Sequence, residues 1–209
     1  MTNRKKNLRK GAVFAAVTAA ALLTPFIGTA TAQAEAPKVV PGFLAASDMP
    51  DGWGTEWRAG PVTEGKPSPG YCATTVLPAR GDVWHRLYWT DLDTGAEQVT
   101  VTMRTEAAAR KLAAKAKDAA ASCAAEFLRE TPGASAAWDD YGKVDVEEGA
   151  HVYGVHTEMP YGANDANLFG IGRDGRTVTI VEWGQMGSLK DLPVADFKKT
   201  MIKAVDSLH

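Results

Sequence analysis

The sequence predicts an α+β domain in two layers: an antiparallel sheet of about five strands, with a long Ala-rich helix and a C-terminal helix packed on one face. Three observations carry this. Strand-like segments come in pairs joined by tight-turn residues. Two other segments each show a single apolar stripe at helical spacing. The order along the chain is strand, strand, long helix, three strands, helix. Short turns within the strand pairs make the sheet antiparallel, and helices with one apolar stripe suit one face of it.

Residues 83–90 are rich in aromatics and alternate in part, which reads as a strand. Asp91-Leu92-Asp93-Thr94-Gly95 supplies turn chemistry. Residues 97–104 then alternate, with Val99, Val101 and Met103 on one side and Thr100 and Thr102 on the other. Together they predict a β-hairpin. Thr105 is a suitable N-cap, with Glu106 in the first turn, where the helix dipole favours an acid. The helix runs to about Arg129. Its buried stripe is Leu112, Ala116, Ala119, Cys123 and Phe127, and Thr131-Pro132-Gly133 stops it. Three strands follow, at 151–159, 167–173 and 176–183, the last two joined by Asp174-Gly175. Asp191 is then expected to cap a last helix, with Pro193 in its first turn and Val194, Phe197, Met201, Ala204 and Leu208 facing inward. Residues 60–70 and 131–137 read as loops, and Asp139-Asp140 falls in loop beside Trp138 and Tyr141. Residues 43–47 suggest a short helix.

The first 34 residues read as a cleaved secretory signal peptide. Arg4, Lys5, Lys6, Arg9 and Lys10 precede an uncharged apolar run that is interrupted by Pro25 and closes at Ala32-Gln33-Ala34. Residues 35–209 are then a single secreted domain, placed outside the cytoplasm. Removing five basic residues from the 23 leaves 18 against 25 acids, a formal charge of −7. That balance argues against nucleic acid as a partner. No later stretch is long and apolar enough to span a bilayer. The two cysteines, Cys72 and Cys123, favour one disulfide in an oxidising compartment, the other reading being two buried free thiols.

Met49-Pro50-Asp51-Gly52-Trp53, Cys72, a second Cys late in the long helix, and Gly172-Arg173-Asp174-Gly175 before a terminal helix give a pattern that resembles the PknH-like extracellular sensor domains of actinobacterial exported proteins. The resemblance covers roughly residues 41–209. It implies an antiparallel sheet carrying helices and a cleft for an extracellular ligand. Kinase-linked members of that family have two disulfides, a kinase domain and a membrane helix. One disulfide at most is possible here, and neither of the other parts is read in this sequence, so the resemblance carries over no catalytic residue.

Residue chemistry narrows the function. His151 and His156 are five apart on one strand and so point to opposite faces, which prevents joint metal ligation. No serine stands in a nucleophile elbow. Gly170-Ile171-Gly172-Arg173-Asp174-Gly175 has dinucleotide-loop spacing but lies in a hairpin without the receiving helix. No catalytic residue, metal or cofactor is therefore expected. Glu182, between Val181 and Trp183 on a buried strand, is a carboxylate that needs a partner or a raised pKa. Trp53, Trp57, Trp138 and Glu182 are the expected ligand-binding residues, on an aromatic-lined cleft. Three functions remain open: a secreted, non-catalytic ligand-binding or sensor-like module for an unknown small molecule; a cell-surface domain that docks an extracellular protein; and a small secreted hydrolase.

Overall fold

The computed structural model describes residues 39–51, 54–79 and 81–209. The expected signal peptide lies outside them. Two short strands come first, β1 (Arg58–Ala59) and β2 (Thr63–Glu64), then the hairpin of β3 (Asp82–Trp89) and β4 (Gly95–Thr102). Next are α1 (Glu106–Glu130), β5 (Ser135–Val144), β6 (Ala150–Glu158), β7 (Asn164–Asp174), β8 (Thr177–Met186) and α2 (Val194–Asp206). The strands form one sheet ordered β1-β3-β4-β8-β7-β6-β5, with β2 also paired to β3, and every pairing is antiparallel. The α+β class holds, and no helix among the described residues is long and apolar enough to cross a membrane.

The sheet has eight strands, not about five. β1 and β2 are two-residue edge pieces with no periodicity to read. β5 occupies the stretch expected to be loop, including Asp139-Asp140. It is an edge strand with a bulge between Asp140 and Gly142, and an edge needs neither an apolar face nor strict alternation. The last strand, β8, returns to the middle of the sheet between β4 and β7. It is therefore covered on both sides, and Val178, Thr179, Ile180, Val181 and Trp183 are all buried.

The helices do not share a face. Alternation along β7 sends Phe169 and Ile171 into a cluster with Leu112, Ala116, Ala120 and Cys123 of α1. Leu168, one residue on, joins Phe197, Met201, Ala204 and Val205 of α2 in a second cluster. On the α2 side, a Cβ at Gly170 would collide with Met201 and one at Gly172 with Val205, so glycine lets that helix lie directly on the sheet. The expected two-layer arrangement is thus corrected to three layers, with the sheet between α1 and α2. A single apolar stripe on each helix fits either arrangement, which is why periodicity did not separate them.

Thr105 caps α1, its side chain accepting from the Ala108 N–H. Asp191 does not cap α2, which follows Pro193 directly. Its carboxylate instead takes the backbone N–H and hydroxyl of Ser188. Cys72 and Cys123 form a disulfide, which ties the 3-10 turn Cys72–Val76 to α1.

Candidate functional site

Alternation continues along the two central strands. On β4, Glu97 has the same parity as Val99 and Val101; on β8, Glu182 has the same parity as Val178 and Ile180. Both carboxylates therefore stand on the α1 side, as direct cross-strand partners. Such partners have Cβ atoms roughly 5 Å apart. Leu87 of β3 and Phe169 of β7 flank them in the same row. One row further along, Gly95 faces Gly184 and Gly184 faces Asn167. Two adjacent glycines remove the side chains from the sheet surface there, and a cleft of about 340 Å³ opens above them.

Tyr71 forms one wall, its ring 5.8 Å from that of Phe169. It is positioned by the turn that the disulfide holds down, and its N–H donates to the Thr74 hydroxyl. The Asn167 side-chain oxygen lies over Gly184, where a Cβ would collide with it, and Asp93 and Asp165 also line the cleft. Among the described residues no Lys, Arg or His lines the cleft.

Burial pushes the Glu182 carboxyl up to about 8, the Glu97 charge adds to the shift, and Thr74 partly opposes it. Burial also raises Glu97, against a smaller opposing effect of His85. Burial raises the Tyr71 phenol, helped by Glu182 and Asp165. Near neutral pH the pair thus holds a proton, since two facing carboxylates of low solvation do not both ionise. Glu182 Oε1 is buried and accepts no hydrogen bond. Among the described residues no three His, Cys, Asp or Glu side chains converge as a metal cage.

Of the residues expected to bind ligand, the three that are described, Trp57, Trp138 and Glu182, do not meet. Glu182 lines the cleft. Trp138 is on the same side of the sheet and 47% exposed, but on β5, three strands away, with its ring 6.4 Å from that of Tyr153. At the usual strand spacing that is about 14 Å. Trp57 packs against the α2-side cluster, and its indole N–H donates to the Pro50 carbonyl at 2.6 Å. Trp53 lies outside the described residues. Tyr71, Asp93, Glu97, Asp165 and Asn167 were not singled out from the sequence. Glu97 did leave a signal there, an acid in register with Val99 and Val101, as Glu182 is with Val178 and Ile180.

No protein-family model, no curated protein and no solved structure matches this chain.

Proposed function

We propose that the protein is a secreted, non-catalytic ligand-binding module of sensor-like type, and that the cleft headed by Glu97 and Glu182 holds its ligand. The observation that carries this is Glu182 Oε1, a buried acceptor without a donor in the wall of an open cleft. Buried polar atoms are nearly always paired within the protein, and an exception beside a cavity marks a place for an outside partner. The resemblance to PknH-like sensor domains agrees with this reading.

Gly95 gives a clean test. Its backbone is ordinary, and a Cβ there would come no nearer than 3.8 Å to another residue, at the Tyr88 carbonyl oxygen. Gly95→Leu therefore fills the cleft without disturbing the sheet. Ligand-observed NMR with a fragment set is expected to give binders to the wild type that Gly95→Leu loses at unchanged melting temperature. A set of binders common to both proteins would remove the cleft from consideration. Native mass spectrometry of protein from culture supernatant tests the export expectation: a chain beginning at Glu35 supports it, and one retaining residues 1–34 refutes it.

One observation favours a second reading. Facing carboxyls with separated protonation are the equipment of a glycoside hydrolase. Release of nitrophenol from aryl glycosides, lost in Glu182→Gln, would establish the hydrolase instead.

A further inference from the structure

The cleft is a ligand site on the reading above, and its lining narrows the ligand. Four acids line or rim it with no basic side chain among them: Asp93, Glu97, Asp165 and Glu182. His85, on the neighbouring strand, is engaged elsewhere, its Nδ1 2.9 Å from the Gly65 carbonyl oxygen. Acidic clusters on a surface are commonly only solvated, but this one contains a buried oxygen without a donor and a floor lowered by two facing glycines, Gly95 left open and Gly184 covered by the Asn167 side-chain oxygen.

We propose that the cleft binds an organic cation through a primary ammonium seated between Glu97 and Glu182, with its apolar body over Gly95 and against Tyr71. Three features fit this. An ammonium offers three donors in a tetrahedral fan. The acceptors available, Glu97, Glu182 and the Asn167 side-chain oxygen, come from three successive strands, β4, β8 and β7, and from two adjacent rows of one sheet face. The Tyr71 ring offers an aromatic face to a cation or to its hydrocarbon body. A bare metal ion fits less well, because no three acidic or imidazole ligands converge among the described residues.

The proton balance is fixed by the pair. In the free protein, one carboxylic acid and one carboxylate share the site. An entering R–NH3⁺ stands between two carboxylates, and the displaced proton leaves to solvent. No covalent bond forms or breaks. The ionisable groups around Glu182 are Glu97 on β4, Asp165 on β7, Tyr71 beside the disulfide-held turn and Asp93 on the β3–β4 turn; α1 contributes none to the lining. All of these are acids, so each favours the cation more as pH rises. Affinity is therefore expected to increase from pH 6 to pH 9.

The test is calorimetry with 2-phenylethylamine and its neutral isostere 2-phenylethanol, in two buffers of different ionisation enthalpy. The amine is expected to bind at least about tenfold more tightly than the alcohol and to release close to one proton at pH 7. Glu182→Gln should cost about tenfold and abolish the proton release at unchanged circular dichroism. Nα-acetyl-lysine amide separates two sources of the same head group. Binding of that probe in place of phenylethylamine would support the ammonium site and place it on a peptide side chain. Equal binding of amine and alcohol, lost in Gly95→Leu, would overturn the ammonium and leave the cleft a ligand site. Binding of calcium ion that displaces the amine would overturn it in favour of a metal. If no amine binds and no fragment distinguishes the wild type from Gly95→Leu, this proposal and the ligand reading fall together.

Discussion

Gln98 and Glu182 stand on neighbouring central strands, on opposite faces of the sheet, and both bring polar atoms into the interior. Gln98 faces α2 and is fully used. Its Oε1 accepts from the Leu44 N–H at 2.8 Å and the Tyr88 hydroxyl at 3.2 Å, and its amide donates to Thr179 at 3.1 Å. It fastens the N-terminal segment over a face that is otherwise closed. Glu182 faces the α1 side, opposite another carboxyl, and one of its oxygens has no partner. The first polar group serves the fold. The second costs the fold something, and that cost beside a cleft is what motivates the ligand reading proposed above.

The comparison can be broken by removing what holds the α1-side cleft in place. The disulfide closes a sequence separation of 51 residues and anchors the turn that carries Tyr71 and Thr74. In the chain-entropy model a loop of that size contributes about 4 kcal/mol. Cys72→Ala with Cys123→Ala should lose about that much in urea unfolding and should weaken any cleft ligand even where the protein remains folded. The next effect is the pH dependence of Glu182. Its folded value, about 8, lies above the 4.5 of an ordinary glutamate. The native state therefore binds the proton more tightly than the unfolded chain, and the contribution is complete below the unfolded value. Stability then falls as pH rises through the interval up to about 8. Allowing for coupling to Glu97, the loss is on the order of 3 kcal/mol. Urea midpoints of the wild type are expected to drop between pH 5 and pH 9, and those of Glu182→Gln to stay much flatter. Parallel curves would mean that Glu182 is better solvated than its position implies.

Much of the fold was legible because its elements carry their own periodicity. Val99, Val101 and Met103 gave β4, the Thr105 cap and the alanine stripe gave α1, and Asp174-Gly175 gave the β7–β8 hairpin. Edge elements were not legible. Ser135–Val144 is polar, bulged and paired on one side only, so the pattern that marks a half-buried strand is absent from it. The layer of each helix was illegible for another reason: which face a stripe meets depends on the crossover that inserts β8 between β4 and β7. Half of the acidic pair was read, since Glu182 lies in a run of buried residues. Its neighbour Glu97 requires the β4–β8 register, which joins residues 85 apart in the chain. Trp57 and Trp138 stand away from the cleft, as aromatic residues fill cores and edges more often than clefts. Trp57 is tied to Pro50, and Trp138 rests near Tyr153 on the far edge.

The α2 face can be tested in the opposite sense, since its polar group should be costly to lose. Gln98→Leu keeps the volume and removes all three hydrogen bonds. The Tyr88 hydroxyl still donates to the Leu44 carbonyl at 2.9 Å, so the main group left without a partner is the Leu44 N–H, with the Thr179 hydroxyl second. One buried donor stranded in this way costs about 2 kcal/mol, which a shift in urea midpoint reports without any change in the pH profile. Gly172→Ala tests the packing of α2 itself. Its methyl would collide with Val205, a β-branched side chain with little rotamer freedom, so α2 must shift outward by about an ångström, at a cost of about 1–3 kcal/mol. Because the α1-side cleft lies on the other side of the sheet, that variant should bind any cleft ligand with wild-type affinity. If it does not, the sheet transmits strain between its faces, and the division of labour between Gln98 and Glu182 is not as local as their hydrogen bonds make it.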